Sequence, residues 1–169
     1  MNNLILVRHG ERTDEGMRSR LTAEGREKIS RLGKILLEGK TISGGRELGN
    51  DLMIFSSPML WMIQSMDLLA EILLGEGSGC KTTPSLKMEA RVDDDWQILL
   101  SLIRKQASHC STLIIGAHED TANIFPFFLA ERYLSMGQEE ISPSWYQTVD
   151  YGQAKFIDCI AKTCCLIVP

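Results

Sequence analysis

Nine residues near the N-terminus, Leu4-Ile5-Leu6-Val7-Arg8-His9-Gly10-Glu11-Arg12, restrict the possible folds more than any other stretch of the chain. The apolar run is short and rich in β-branched residues, the pattern of a strand buried on both faces of a parallel sheet. Gly10 permits a sharp turn where that strand ends. Arg8 and His9 are thereby expected at the carboxyl end of a central strand, where open α/β sheets bind ligands. There a guanidinium fork can grip an anion while the neighbouring imidazole reaches its centre.

The rest of the chain supplies the partners of such a strand. Residues 11–20 are polar and aperiodic and read as a loop, in which Arg12, Arg18 and Arg20 are candidate lining for an anion pocket. Thr22 is a good N-cap, and Ile29, Leu32, Ile35 and Leu36 recur at helical spacing up to Gly39. Asp51–Phe55 is a second buried strand. It leads into Ser57, expected as a cap, and Pro58, expected at the first position of a helix running to about Leu74. Met59, Met62, Ile63, Met66, Leu69, Ala70 and Leu73 form the core stripe of that helix. Trp61 falls on the opposite side of the stripe, facing either the space above the sheet or solvent.

Residues 81–88 suit a short third strand near an edge, followed by Glu89 and Arg91. Asp93-Asp94-Asp95 then begins a helix, where three acids suit capping and the macrodipole better than a metal. Thr112–Ala117 is a further buried strand running into His118-Glu119-Asp120, which repeats the logic of the opening stretch. Residues 121–134 read as helix with a kink or late start at Pro126. Closing strands are expected near 147–151, 154–160 and 163–168. This alternation predicts one domain over residues 1–169, a three-layer α/β/α sandwich on a mainly parallel sheet.

A formal charge of −4 gives no electrostatic reason to expect nucleic acid or a membrane surface. No segment approaches the ~20 apolar residues that span a bilayer, and the start of the chain lacks the features of a signal peptide. Five cysteines without CxxC spacing fit neither a disulfide framework nor a zinc site, so a reduced, cytoplasmic setting is expected. A metal held by His9, His118 and carboxylates is disfavoured, because Arg8 sets fixed positive charge beside the cation. A serine hydrolase lacks its G-x-S-x-G elbow. What remains is two strand-end histidines, one beside an arginine, and these converge if their strands are neighbours. His109 sits in a polar loop and is given no role.

These residues carry a resemblance. Leu6-Val7-Arg8-His9-Gly10-Glu11 resembles the signature of the histidine phosphatase superfamily, whose fold is phosphoglycerate-mutase-like. Leu21-Thr22-Ala23-Glu24-Gly25 resembles that family's Leu-Thr-x-x-Gly helix start. Ser56-Ser57-Pro58-Met59-Leu60 is similar to its Ser-Ser-Pro-Leu segment, and Ile114–His118 to its second-histidine strand. The four matches come in family order over residues 4–118, and the Gly-Ala-His-Glu form suggests the phosphohistidine-phosphatase branch.

The resemblance implies a nucleophile at His9, a phosphate clamp at Arg8 and a second phosphate contact at His118. Glu89 is the first candidate for the acid, with Glu11 and Glu119 behind it. It implies no cofactor and no metal, and as substrate a phosphorylated small molecule or a phosphohistidine protein. One departure matters. The family's second phosphate-binding arginine falls at Trp61 here, and indole offers one N–H and no charge. Losing such a contact costs about 3 kcal/mol, or roughly a hundredfold in rate. Weakened or substrate-restricted activity is therefore expected, rising on Trp61→Arg. Arg91, Arg12, Arg18 or Arg20 could fill the place, or Trp61 could shape the pocket by stacking on Arg8. The alternatives are a catalytically silent phosphate- or protein-binding module and a purely structural domain.

Overall fold

A computed structural model describes residues 1–39, 48, 51–82 and 94–169. The six strands among the described residues are β1 (Asn3–Arg8), β2 (Leu52–Ser56), β3 (Lys81–Thr82), β4 (Thr112–Ala117), β5 (Ala154–Asp158) and β6 (Thr163–Ile167). They form one sheet in the order β3-β2-β4-β1-β5-β6. The pairs β3–β2, β2–β4 and β4–β1 are parallel, while β5 runs antiparallel to both β1 and β6. Five strands thus share one direction and β5 alone is reversed. Because β4 and β1 are neighbours in the middle of the sheet, both can be apolar on both faces, and every residue of each is buried.

Alternation along these strands feeds two cores. Leu4 and Leu6 of β1 and Leu113 and Ile115 of β4 pack on one side, with α3 (Asp94–Gln106) and α5 (Phe125–Arg132). Ile5, Val7 and Ile114 pack on the other, with α1 (Ala23–Glu38) and α2 (Leu60–Leu74). A period of two on the strands thus produces three layers, an α/β/α sandwich as expected from the alternation of elements.

Helix α1 begins where anticipated. Thr22 Oγ accepts the Gly25 N–H at 3.0 Å, and Gly39 ends the helix at φ +61°. The segment 119–132 is split into a five-residue helix, α4 (Glu119–Asn123), and α5, with Pro126 in the first turn of the second.

Three expectations are corrected. Helix α2 starts at Leu60 rather than Pro58, and its N-cap is Met59, without a side-chain cap. Ser57 is not a cap, because its hydroxyl is engaged elsewhere. No strand forms at 147–151. There the Val149 N–H goes to Asn123 Oδ1 at 2.7 Å, and its carbonyl accepts from Arg8 Nη1 at 2.9 Å. Both ladder groups of Val149 are spent, so the segment flanks the sheet without joining it. Of the third strand only Lys81–Thr82 is a described strand; the remainder of that expectation, with Glu89 and Arg91, lies outside the described residues. No helix among the described residues is long and apolar enough to cross a membrane.

Candidate active site

The parallel register of β1 on β4 pairs Arg8 with Ala117, so the next residue on each strand is a histidine. The two rings leave the sheet side by side, with centroids 5.7 Å apart. They line a cavity of about 200 Å³ together with Arg8, Arg12, Trp61, Glu119, Asp120 and Tyr151.

His9 is 6% exposed, and its Nδ1 donates to the carbonyl of Gly10 at 2.7 Å. A carbonyl can only accept, so this bond places the ring proton on Nδ1 and leaves the Nε2 lone pair free. Burial, opposed by that hydrogen bond and reinforced by the charges of Arg8 and Arg12, lowers the His9 pKa to about 4. His118, also 6% exposed, is lowered to about 4 by burial, by His9 and by Arg12. Its Nε2 lies 3.0 Å from Ser57 Oγ. Both imidazoles are therefore neutral near pH 7.

A close approach of backbones shapes the turn after His9. A Cβ on Gly10 would stand 2.4 Å from the Gly25 carbonyl oxygen, and one on Gly25 would stand 2.3 Å from that of Glu11. Only glycine fits at either position. The loop thus closes against the first turn of α1, and the Thr22 N–H also reaches the Glu11 carbonyl at 2.9 Å.

Arg8 is 6% exposed. Its Nη1 donates to the Val149 carbonyl, and its Nη2 pairs with Glu119 Oε2 at 2.8 Å. Asp150 lies 3.8 Å from Nη1, and the guanidinium sits 4.2 Å over the Tyr151 ring. Arg8 therefore stacks on Tyr151 rather than on Trp61. The Arg12 guanidinium is the one over Trp61, at 4.7 Å, with Nη1 donating to Ser19 Oγ at 2.8 Å. Trp61 is 2% exposed, which answers the choice between pocket and solvent in favour of the pocket. Arg8 Nε and Trp61 Nε1 are buried donors without a hydrogen-bond partner in the described structure. Two such donors on one pocket's walls are unusual, since buried polar groups are nearly always paired.

Not every candidate comes to the cavity. Arg18 and Arg20 are exposed and do not line it. Glu11 faces away and pairs with Lys28, which removes it as a reserve acid at the histidines. Glu119 and Asp120 are the carboxylates in the lining, equal in number to the guanidiniums. Among the described residues no group of three or more His, Cys, Asp or Glu is arranged to hold a metal ion.

Two residues at the site escaped the reading of the sequence: Tyr151, which lines the cavity, and Ser57, which stands behind His118. Ser57 looked like a cap because serine before proline usually is one. Tyr151 sits in a turn closed by the Gln153 N–H to the Asp150 carbonyl, where an aromatic residue carries no local signal. Its ring centroid is 5.3 Å from that of His9. Only the fold brings the 149–153 segment to the strand end, through hydrogen bonds from the Gly152 N–H to the Arg8 and His9 carbonyls.

This sheet order is the fold of the histidine phosphatase superfamily. Solved structures that it resembles along nearly their whole length include members of that superfamily. One is assigned as a phosphohistidine phosphatase, SixA, from Nakamurella multipartitia: TM-score 0.69, 14% identity, over 99% of this chain and 94% of that one. The protein histidine phosphatase SixA complexed with tungstate aligns at TM-score 0.60 and 18% identity, over 99% and 97%. The ecdysone phosphate phosphatase of Bombix mori, also complexed with tungstate, aligns at TM-score 0.66 and 12% identity, over 100% and 93%. At these identities the likeness is one of fold. No family model matches the chain, and no curated protein matches it.

Proposed function

We infer that the chain is a metal-independent phosphatase that hydrolyses a phosphohistidine or a small phosphomonoester through a phosphohistidine intermediate on His9. The observation that carries this reading is the His9 Nδ1 bond to the Gly10 carbonyl. It presents a neutral, oriented Nε2 to a cavity that also holds His118 and two guanidiniums.

In the first step Nε2 attacks phosphorus, a P–N bond forms, and the bond from phosphorus to the leaving oxygen or nitrogen breaks. In the second step water attacks phosphorus, the bond to His9 breaks, and inorganic phosphate departs. Phosphoryl transfer needs mainly positioning and charge stabilisation. Arg8, Arg12 and His118 are the donors at hand. Arg20 is set aside because it does not line the cavity. Glu89 remains the proposed acid and Arg91 a proposed clamp, both outside the described residues, while Glu119 is a described alternative that lines the cavity. A substrate whose leaving group is itself an imidazole needs no strong acid. Activity is proposed to be weaker than a site with two fixed clamps would give, because Trp61 occupies the arginine position.

Two facts favour the competing reading of a silent phosphate- or protein-binding module: Trp61 itself, and the engagement of Arg8 by Glu119 and Val149. Rapid-quench labelling with a 32P-phosphohistidine peptide and with 32P-phosphoramidate separates them. An enzyme shows acid-labile label on His9 that turns over; absence of label at every time point, with no phosphate released, leaves only the module.

A further inference from the structure

Trp61 touches three pocket groups at once. Its ring centroid lies 6.1 Å from that of His9 and 6.4 Å from that of His118, edge to face, and Arg12 stacks on it. The helix that carries it is bound to the loop that carries Arg12. Gln64 Oε1 accepts the Leu21 N–H at 2.9 Å. Ser65 Oγ donates to the Trp61 carbonyl at 2.8 Å and accepts the Gly10 N–H at 3.3 Å. Ser19, fully buried, takes both Arg12 Nη1 and the Glu15 N–H. Helix start, loop and nucleophile turn are therefore one braced unit.

An arginine on a loop loses side-chain entropy whenever it is fixed in place. Indole is the best aromatic partner for a cation, and stacking fixes the plane of the guanidinium while leaving its edge N–H groups free for an anion. Ser19 uses one of those groups and the rest remain. An arginine at position 61 would act in the opposite sense, burying a further cation beside Arg12 and removing its platform.

We propose that Trp61 is a positioning residue, the stacking platform that holds Arg12 in the cavity, so that the second guanidinium of the site comes from the loop after β1 instead of from helix α2. The proposal rests on the phosphatase reading for its purpose but not for its geometry. Arg12 then supplies part of what the tryptophan removes, and Trp61→Arg loses anion affinity instead of gaining it.

Two measurements test this. In 15N-labelled protein the Arg12 Nε–H resonance, identified by its loss in Arg12→Ala, should be ring-current shifted and as rigid as the backbone. It should stay so in Trp61→Phe and become mobile and unshifted in Trp61→Leu. An Arg12 resonance that is mobile in the parent protein, or unaltered in Trp61→Leu, overturns the proposal. Should Trp61→Leu not fold, the Trp61 indole N–H resonance, identified in Trp61→Phe, must move in Arg12→Ala; an unmoved resonance overturns it equally.

Calorimetric titration with inorganic phosphate supplies the second measurement. Arg12→Ala and Trp61→Leu should each weaken binding about tenfold, Trp61→Phe less than about threefold, and the Arg12→Ala/Trp61→Leu double variant no more than about twofold beyond Arg12→Ala. Losses that multiply to about a hundredfold, or a Trp61→Arg variant that binds phosphate more tightly, sink the idea. A parent protein that binds no phosphate and shows no label on His9, but keeps a rigid Arg12 resonance sensitive to Trp61→Leu, supports the platform and removes the phosphatase reading.

Discussion

His9 and His118 stand one residue beyond the same register pair on adjacent strands, are equally buried, and are both held neutral. Their hydrogen-bond partners differ. The partner of His9 is a backbone carbonyl, which accepts only and fixes one tautomer. The partner of His118 is the Ser57 hydroxyl, which can give or take a proton. One imidazole is thus committed to presenting a lone pair, and the other is free to switch between donor and acceptor. In a group transfer in which charge on the transferred group changes, that division suits a nucleophile and an adjustable hydrogen-bond donor.

The sharpest way to break this comparison is to remove each ring in turn. His9→Asn should lower kcat by about 10⁴-fold or more and abolish phosphoenzyme, as loss of a covalent nucleophile does. His118→Asn should cost about 10²–10³-fold yet still form labelled His9, as loss of a stabilising contact does. Quench-flow labelling reads both. Equal labelling of the two variants would mean that the rings are not differentiated.

A second test uses pH. Both folded-state values lie near 4, below the ordinary 6.5, so the unfolded chain binds protons that the folded chain does not between these limits. Stability is then complete above about pH 6.5 and falls as pH drops toward 4, each ring contributing on the order of 3 kcal/mol. Urea unfolding at pH 7 and pH 4.5 measures it, and a double variant lacking both rings should lose most of that slope. The acid limb of kcat/KM should likewise fall well below pH 6.

Ser57→Ala sharpens the contrast with a smaller effect. It deprives His118 of its partner and should reduce kcat by about tenfold, while the His9 NMR titration stays unchanged. A drop on the scale of His118→Asn would give the serine more than an orienting part. The smallest effect belongs to Glu119→Gln. Releasing Arg8 from a carboxylate that is 64% exposed should tighten inorganic phosphate about two- to threefold, read by calorimetry. Weaker binding would show that Glu119 steadies Arg8 for its ligand.

Much of this architecture is legible in local chemistry. Runs such as Leu4–Val7 and Leu113–Ala117 carry no polar side chain and read as central strands. The Thr22 cap and the break near Pro126 are likewise local, since caps and prolines act within a few residues. Misreadings arose where a local preference met a distant partner. Ser57 left its expected cap for a ring 61 residues away, and Val149 gave its hydrogen bonds to Asn123 and Arg8 instead of to a sheet.

By itself the order of residues determined the layered sheet and the emergence of an arginine and two histidines at strand ends, because burial patterns and turn chemistry are encoded within a few positions. Tertiary structure alone decided which groups share the cavity. It admitted Arg12 and Tyr151, set Ser57 against His118 behind the cavity wall, left Arg20 outside, and set Trp61 beneath a guanidinium. Contacts of that kind depend on where helices and loops meet in space, and no periodicity along the chain records it.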